Sequence, residues 1–249
     1  MSRHHIAWIW VSLASVLLLV FMWWNYSPPT QFPDKPQLLQ EMNDSLNEYG
    51  TSDQVAEIQK VIQADRRHVA VPYISEEGDY GMSFWIWGKW KWELISLESN
   101  GEPKLWMIDR NDPTSYFLTW NIAPEIGAEK LNAYIIRRRD YGMADGKNFY
   151  SPRVQMSKEI EVAEESFGAI PLPSTWQEVL QSTIRLDETE TFSWFDGYST
   201  AAMQFEFGWN ALDGSGKSVS PEVFFKSPQY SYGSSDFQFM TMIDERELE

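Results

Sequence analysis

The chain has 249 residues, a formal net charge of −16 and no cysteine. That acidity argues against a nucleic-acid partner and against adsorption to anionic lipid through charge. The missing cysteine excludes disulfides and thiol catalysis, and the length supplies a core that needs no cross-link, in one large domain or two close-packed ones.

After MSRHH the sequence runs apolar from Ile6 to Trp24, "IAWIWVSLASVLLLVFMWW", without a charge. As a helix this run spans about 28 Å, close to the hydrocarbon thickness of a bilayer. A cleaved secretory signal shares the short basic start, but its apolar region is shorter and ends in small residues. Here the run ends in Phe21, Met22, Trp23 and Trp24, and Tyr26 follows. Together with Trp8 and Trp10 these aromatics suit the two interfacial belts of a membrane span. The run is therefore read as an uncleaved transmembrane anchor. Arg3 precedes it and the first basic residue beyond it is Lys35. Residues 1–5 are then a cytoplasmic stub and the chain from residue 25 lies outside, in a single-pass protein of the cell membrane. An exported domain of this size without disulfides fits a bacterial cell envelope.

Residues 25–36 contain four prolines and read as a stiff spacer that lifts the outer part off the membrane. Residues 37–67 read as a helix pair. Leu38, Leu39, Met42 and Leu46 form one apolar stripe, Gly50 ends it, and Val55, Ile58, Val61 and Ile62 form a second. From residue 68 to 163 the period changes to two. "HVAVPYI", "YGMSFWIW", "WKWELISLES", "PKLWMID", "SYFLTWNI", "AYIIRRR" and "PRVQMSKEIEV" are strand-like runs. Asn100-Gly101 between two of them is a hairpin signal, so a first antiparallel meander is expected. Residues 164–186 form a linker and a short helix with Trp176, Val179 and Leu180 on its apolar side, and Thr175 and Glu178 at capping-box spacing. Residues 187–243 read as a second meander: "TETFSWF" turning at Asp196-Gly197 into a run with Met203, Phe205, Phe207 and Trp209 on one face, then "VSPEVFFKS" and "DFQFMTMI". Residues 244–249 are an acidic, solvated tail. The expected class is α+β: an N-terminal transmembrane helix, a helix pair and mostly antiparallel β-meanders.

The densest feature is "FWIWGKWKW", with Trp85, Trp87, Trp90 and Trp92. A two-residue turn at Gly88-Lys89 sets Trp87 opposite Trp90 and Trp85 opposite Trp92, all on one face. The helix pair is expected to cover most of that face. An exposed indole platform is the competing reading, because sugar rings stack on indole and an envelope protein is surrounded by glycan. Trp209 and Tyr230 offer the second half the same potential.

Few motifs carry chemistry. "ALDGSGKS", Ala211 to Ser218, resembles a phosphate-binding loop in spelling, but "VSPEVFF" follows it where a helix N-terminus is required, so it reads as a Gly-rich hairpin loop with no nucleotide. His68 is the one histidine beyond the anchor and no nucleophile elbow accompanies it. Asp109, Asn111 and Asp112 lack the ligand series of a calcium loop, and neither a metal nor a cofactor is expected. Arg137, Arg138 and Arg139 form the one basic cluster and are expected to answer nearby acids. Candidate acids for glycoside chemistry are Glu76, Glu77 and Asp79 in one loop, and Glu206 among aromatics.

These features point to a membrane-anchored extracytoplasmic module, non-enzymatic, that binds cell-wall glycan or another envelope protein. The alternative is an envelope hydrolase using paired carboxylates. A reporter that works only outside the cytosol, fused after Glu249, is expected to be active, with the polypeptide kept at full length. An active cytosol-only reporter at that position would contradict the orientation.

Overall fold

The computed structural model describes residues 3–144, 147–190, 205–224, 230–233, 236–244, 246 and 248. It is α+β, with three α-helices among the described residues and mostly antiparallel sheets. Helix α1 (Arg3–Tyr26) covers the apolar run. Among the described residues no helix is long and apolar enough to cross a membrane, so the anchor remains a proposal. Helix α2 (Lys35–Glu48) starts at a capping box in which the Asp34 carboxylate accepts from the Gln37 amide.

The expected second helix is not formed. Its residues make strands β1 (Val55–Ile58) and β2 (Ile62–Gln63), both paired with β3 (His68–Ser75). The physical reason is a β-bulge between Val55 and Glu57, which lets Val55 and Ile58 both face inward although they are three residues apart. A bulged strand thus carries a helix-like spacing. Asn43 of α2 holds this backbone extended, accepting from Val55 N at 2.7 Å and donating to Val55 O at 3.3 Å.

Strands β4 (Tyr80–Gly88) and β5 (Lys91–Glu98) form the tryptophan hairpin. The turn lies one residue later than expected. Trp87 pairs with Trp92 and Gly88 with Lys91, so Lys89 and Trp90 are the turn residues, with φ of 50° and 68°. Two consecutive positive φ values give the turn whose twist matches the strands, and the register outweighs the preference for glycine. Trp85, Trp87 and Trp92 are 0%, 3% and 8% exposed and pack with Leu38, Met42 and Leu46 of α2. Trp90 is 40% exposed, outside that cluster.

The remaining strands are β6 (Lys104–Met107), β7 (Tyr116–Asn121), β8 (Lys130–Arg137), β9 (Asp140–Ala144), β10 (Lys147–Ser151), β11 (Val154–Glu161) and β12 (Phe167–Pro171). Helix α3 (Ser174–Glu190) follows, longer than expected, then β13 (Glu206–Leu212), β14 (Ser231–Gly233), β15 (Phe237–Phe239) and β16 (Thr241–Met242). The first sheet has the order β1-β3-β4-β5-β14, with β2 also on β3; the second is β12-β7-β6-β15; the third is β11-β8-β13-β16. Only β13–β16 is parallel among these pairings. β9 and β10 form a separate hairpin. The segment from Ser231 to Met242 therefore adds one strand to each of the three sheets.

Strand β6 shows how the sheets stack. Trp106 packs with Ala70, Met82 and Phe84 of the first sheet, whereas Leu105 and Met107 pack with Leu131, Ile135, Phe207 and Trp209 of the third. Alternate side chains of one strand serve two cores, which is why all of β6 is buried. Trp176 and Leu180 of α3 join the second core.

Four further expectations need correction. Asn100-Gly101 does not close a hairpin: β5 and β6 lie in different sheets, and the chain crosses between them there. Gly101 serves close approach instead, since a Cβ would stand 1.8 Å from Asn121 O. The described part of "VSPEVFFKS", residues 219–224, is not a strand: Pro221–Val223 is a 3-10 turn, because proline leaves no amide for a ladder, and residues 225–227 lie outside the described residues. The proline spacer does not stand clear of the domain, because Trp92 Nε1 donates to Thr30 O at 3.2 Å and the Phe32 ring lies edge-on to Trp92 at 4.9 Å. Thr189 and Glu190, the start of "TETFSWF", belong to helix α3 and not to a strand, while residues 191–195, the Asp196-Gly197 turn and Met203 lie outside the described residues.

Trp87→Ala should destabilise the protein by about 3–5 kcal/mol, as large-to-small changes in cores do. Trp90→Ala should stay within about 0.5 kcal/mol. Equilibrium denaturation of both variants in urea measures the contrast.

Candidate functional site

The long strand β4 separates two ends of the first sheet. At the end away from the tryptophan turn, four segments enclose a cleft of about 250 Å³: Gly78–Tyr80, Ser99–Glu102, Asn121–Ile126 and Val223–Phe224. The turn from β3 to β4 is built by Gly78, at φ +85°, and by Ser75, whose hydroxyl accepts from the Asp79 amide at 3.1 Å. This places the Asp79 side chain on the cleft wall, with Glu76 and Glu77 exposed at the tip.

The sheet crossing forms the next wall. Asn100 Oδ1 accepts from Glu102 N at 2.8 Å, and Asn121 N donates to Gly101 O at 2.7 Å. The Asn121 amide nitrogen lies within 2.7–3.0 Å of Gly81 O, Gln59 Oε1 and Tyr73 O, tying β7 to the first sheet. Its Oδ1 is buried with no protein partner among the described residues. Glu102 Oε1 is in the same condition. Burial pushes the Glu102 carboxyl above the usual range, opposed by its hydrogen bond with Asn100. Burial likewise raises the Tyr80 phenol, with Glu125 and Glu57 adding to the effect.

Beneath the crossing lies a buried ion pair. The Lys104 ammonium contacts the Glu98 carboxylate, with side chains 4% and 2% exposed. Lys104 Nζ also donates to Asn100 O at 3.2 Å, and Ser96 Oγ donates to Glu98 Oε1 at 3.3 Å. Burial pulls the Lys104 ammonium down to about 7; the carboxylate against it favours the charged form and opposes that pull. The pair fixes the carbonyl of Asn100, and so the wall that carries Glu102.

No family model, curated protein or solved structure matches the chain. The site is therefore judged on its own chemistry. Three carboxylates (Asp79, Glu102 and Glu125) line it with the Asn100 and Asn121 side chains and the Tyr80 ring. Such a surface accepts hydrogen bonds from hydroxyl or ammonium groups and offers an aromatic face. Among the described residues, no three histidines, cysteines or carboxylates are arranged to hold a metal ion.

Of the sequence-derived candidates, Asp79 alone lines this cleft. Glu206 sits on β13 of the third sheet, 3.3 Å from Arg138. Trp85, Trp87, Trp92 and Trp209 are core residues in this fold, and Trp209 Nε1 donates to Met240 O. Tyr230 stands behind the cleft: its amide donates to Ser99 Oγ at 2.9 Å and its hydroxyl meets Tyr73 Oη at 3.2 Å. Burial pushes its phenol up to about 12. His68 Nδ1 lies 2.8 Å from Asp65, a local pair at the start of β3. The Asp213 carboxylate accepts from the amides of Ser215 and Lys217 inside the Gly-rich loop. Glu102, Glu125, Tyr80 and Asn121 were not singled out from sequence. The signal was Gly101 beside Asn100, read as a turn.

Lys104→Met leaves the Glu98 carboxylate buried and unpaired, and should cost about 3–5 kcal/mol. Adding Glu98→Leu to that variant should recover much of the loss, because an apolar pair of similar volume carries no buried charge. Urea midpoints of the single and double variants test this.

Proposed function

We propose that the protein is a membrane-anchored extracytoplasmic module of a bacterial cell envelope, with its C-terminal region outside, and that it binds glycan without catalysing a reaction. The cleft around Glu102 is where the ligand is held. One observation carries the reading: Glu102 Oε1 and Asn121 Oδ1 are buried acceptors left without protein partners among the described residues, beside an open cleft. Buried acceptors are ordinarily satisfied, and sugar hydroxyls are donors of the right kind. Asp79, Glu125 and the Tyr80 ring add acceptors and a stacking surface at the rim. The cleft is just below the size of common small-molecule pockets and suits one sugar ring or a substituent of a longer chain. Trp85, Trp87 and Trp92 take no part, being buried under α2.

The second reading is hydrolysis by carboxylates. It is favoured by the upward shift that burial gives the Glu102 carboxyl among other acids, since a carboxyl that holds its proton to higher pH than usual is better suited to act as a general acid.

Titration of the full chain in detergent with soluble cell-wall glycan fragments tests both. Glu102→Gln and Asp79→Asn are each expected to weaken binding about tenfold, a loss of about 1.4 kcal/mol, with the glycan unchanged in length. Absence of binding in the wild type would refute the glycan reading. Cleavage of the glycan by wild type but not by Glu102→Gln would replace it with the hydrolase.

A further inference from the structure

The tryptophan turn lies close to the point where α1 ends. Helix α1 closes at Tyr26, and the next residue is already fastened: Arg67 Nη2 donates to Ser27 O at 2.8 Å. Arg67 O in turn accepts from Trp87 N at 2.7 Å. Thr30 and Phe32 continue the attachment through Trp92. The chain leaving α1 is thus bound to the β4–β5 hairpin at the Trp87–Trp92 pair, two residues from the turn. At under 4 Å per residue, Ser27 has no slack to move the hairpin away from the end of the helix.

What the turn presents is unusual for its position. Lys89 and Trp90 both occupy the left-handed region, and Gly88, which tolerates that conformation best, sits outside it at a paired position. The turn directs Trp90 outward at 40% exposure, flanked by the exposed Lys89 and Lys91. Arg66 is exposed beside Arg67. Acids near this end include Glu93, which pairs with Lys91 at 3.1 Å, Glu41 with Asp44 beside it, and Asp65, which pairs with His68. Local charge is therefore close to balance, in contrast to the acidic chain as a whole. Indole with snorkelling lysines in a balanced field matches the headgroup region of a bilayer.

We infer that the Lys89-Trp90 turn is a second membrane contact, seated in the lipid headgroups beside the end of α1, so that the domain rests on the bilayer with its acidic cleft pointing away. This rests on the reading of α1 as a membrane anchor. The partner is the lipid surface itself. The cleft follows from geometry: β4 has nine residues, about 30 Å at 3.3 Å per residue, and joins the turn to the Gly78–Tyr80 wall.

The absence of native cysteine permits a direct test by site-directed spin labelling of the full chain in phosphatidylcholine vesicles. Gly88→Cys carries the label at the turn, where an added Cβ meets nothing within 4 Å and Trp90 is left in place. Glu77→Cys reports the far end of the hairpin and Leu17→Cys reports α1. The Gly88→Cys label should be relaxed more strongly by oxygen, which concentrates in lipid, than by a water-soluble nickel chelate. The Glu77→Cys label should show the reverse, and adding Trp90→Ala to Gly88→Cys should shift its label toward water. If the Gly88→Cys label is as water-accessible as the Glu77→Cys label while Leu17→Cys is shielded, the second contact is refuted and the anchor stands. If Leu17→Cys is also water-accessible, the anchor reading falls and the proposal with it.

Discussion

The structure depends on the point where the chain leaves the first sheet for the second. Between Glu98, the last residue of β5, and Lys104, the first of β6, it turns through five residues and buries an ion pair at their two ends. Two charges enclosed together gain little net stability, because desolvation offsets their attraction. Their value lies in what they forbid. Any other registration of the crossing strands would leave a lone charge in the core. The Phe239 ring, 5.3 Å from Lys104 Nζ, covers the pair from β15 and links it to the end of the chain. Asn121 applies the same logic from β7, with one side-chain nitrogen reaching three oxygens of the first sheet and its neighbourhood.

With that crossing fixed, the first sheet becomes a bar with unlike ends. One end is apolar and aromatic and is held to the residues that follow α1. The other carries carboxylates and amides around a cleft. The separation is a consequence of strand length: β4 is long enough to keep the exposed Trp90 indole and the acidic rim apart.

Much of the architecture was readable in sequence, and the reasons for the failures are specific. Alternating patterns placed β3, β4, β5, β6, β7, β8 and β11 closely, because each has at least one face on a core. The apolar stripe of Leu38, Met42 and Leu46 gave α2. The stretch at residues 54–62 misled because a bulge moves Val55 and Ile58 onto one face at helical spacing. The tryptophan turn falls one residue beyond Gly88-Lys89 because strand register outweighs the preference for glycine in a turn. The three-sheet division was hidden, since Asn100-Gly101 looks the same whether it closes a hairpin or lets two backbones touch. The cleft was hidden for the same reason: Asp79, Glu102, Asn121 and Glu125 are brought together only by that crossing. A lone acid in a loop carries no mark of its future neighbours.

The twelve residues from Ser231 to Met242 supply the edge of the first sheet, the edge of the second and the parallel strand of the third. None of the three sheets is complete without a strand from this segment. Contacts that join residues so far apart in sequence form slowly, because loop closure precedes any gain from pairing. Until β14, β15 and β16 dock, each of the three sheets keeps an unpaired edge. That delay exposes unpaired strand edges, the surfaces most prone to pair with another chain, until the segment docks.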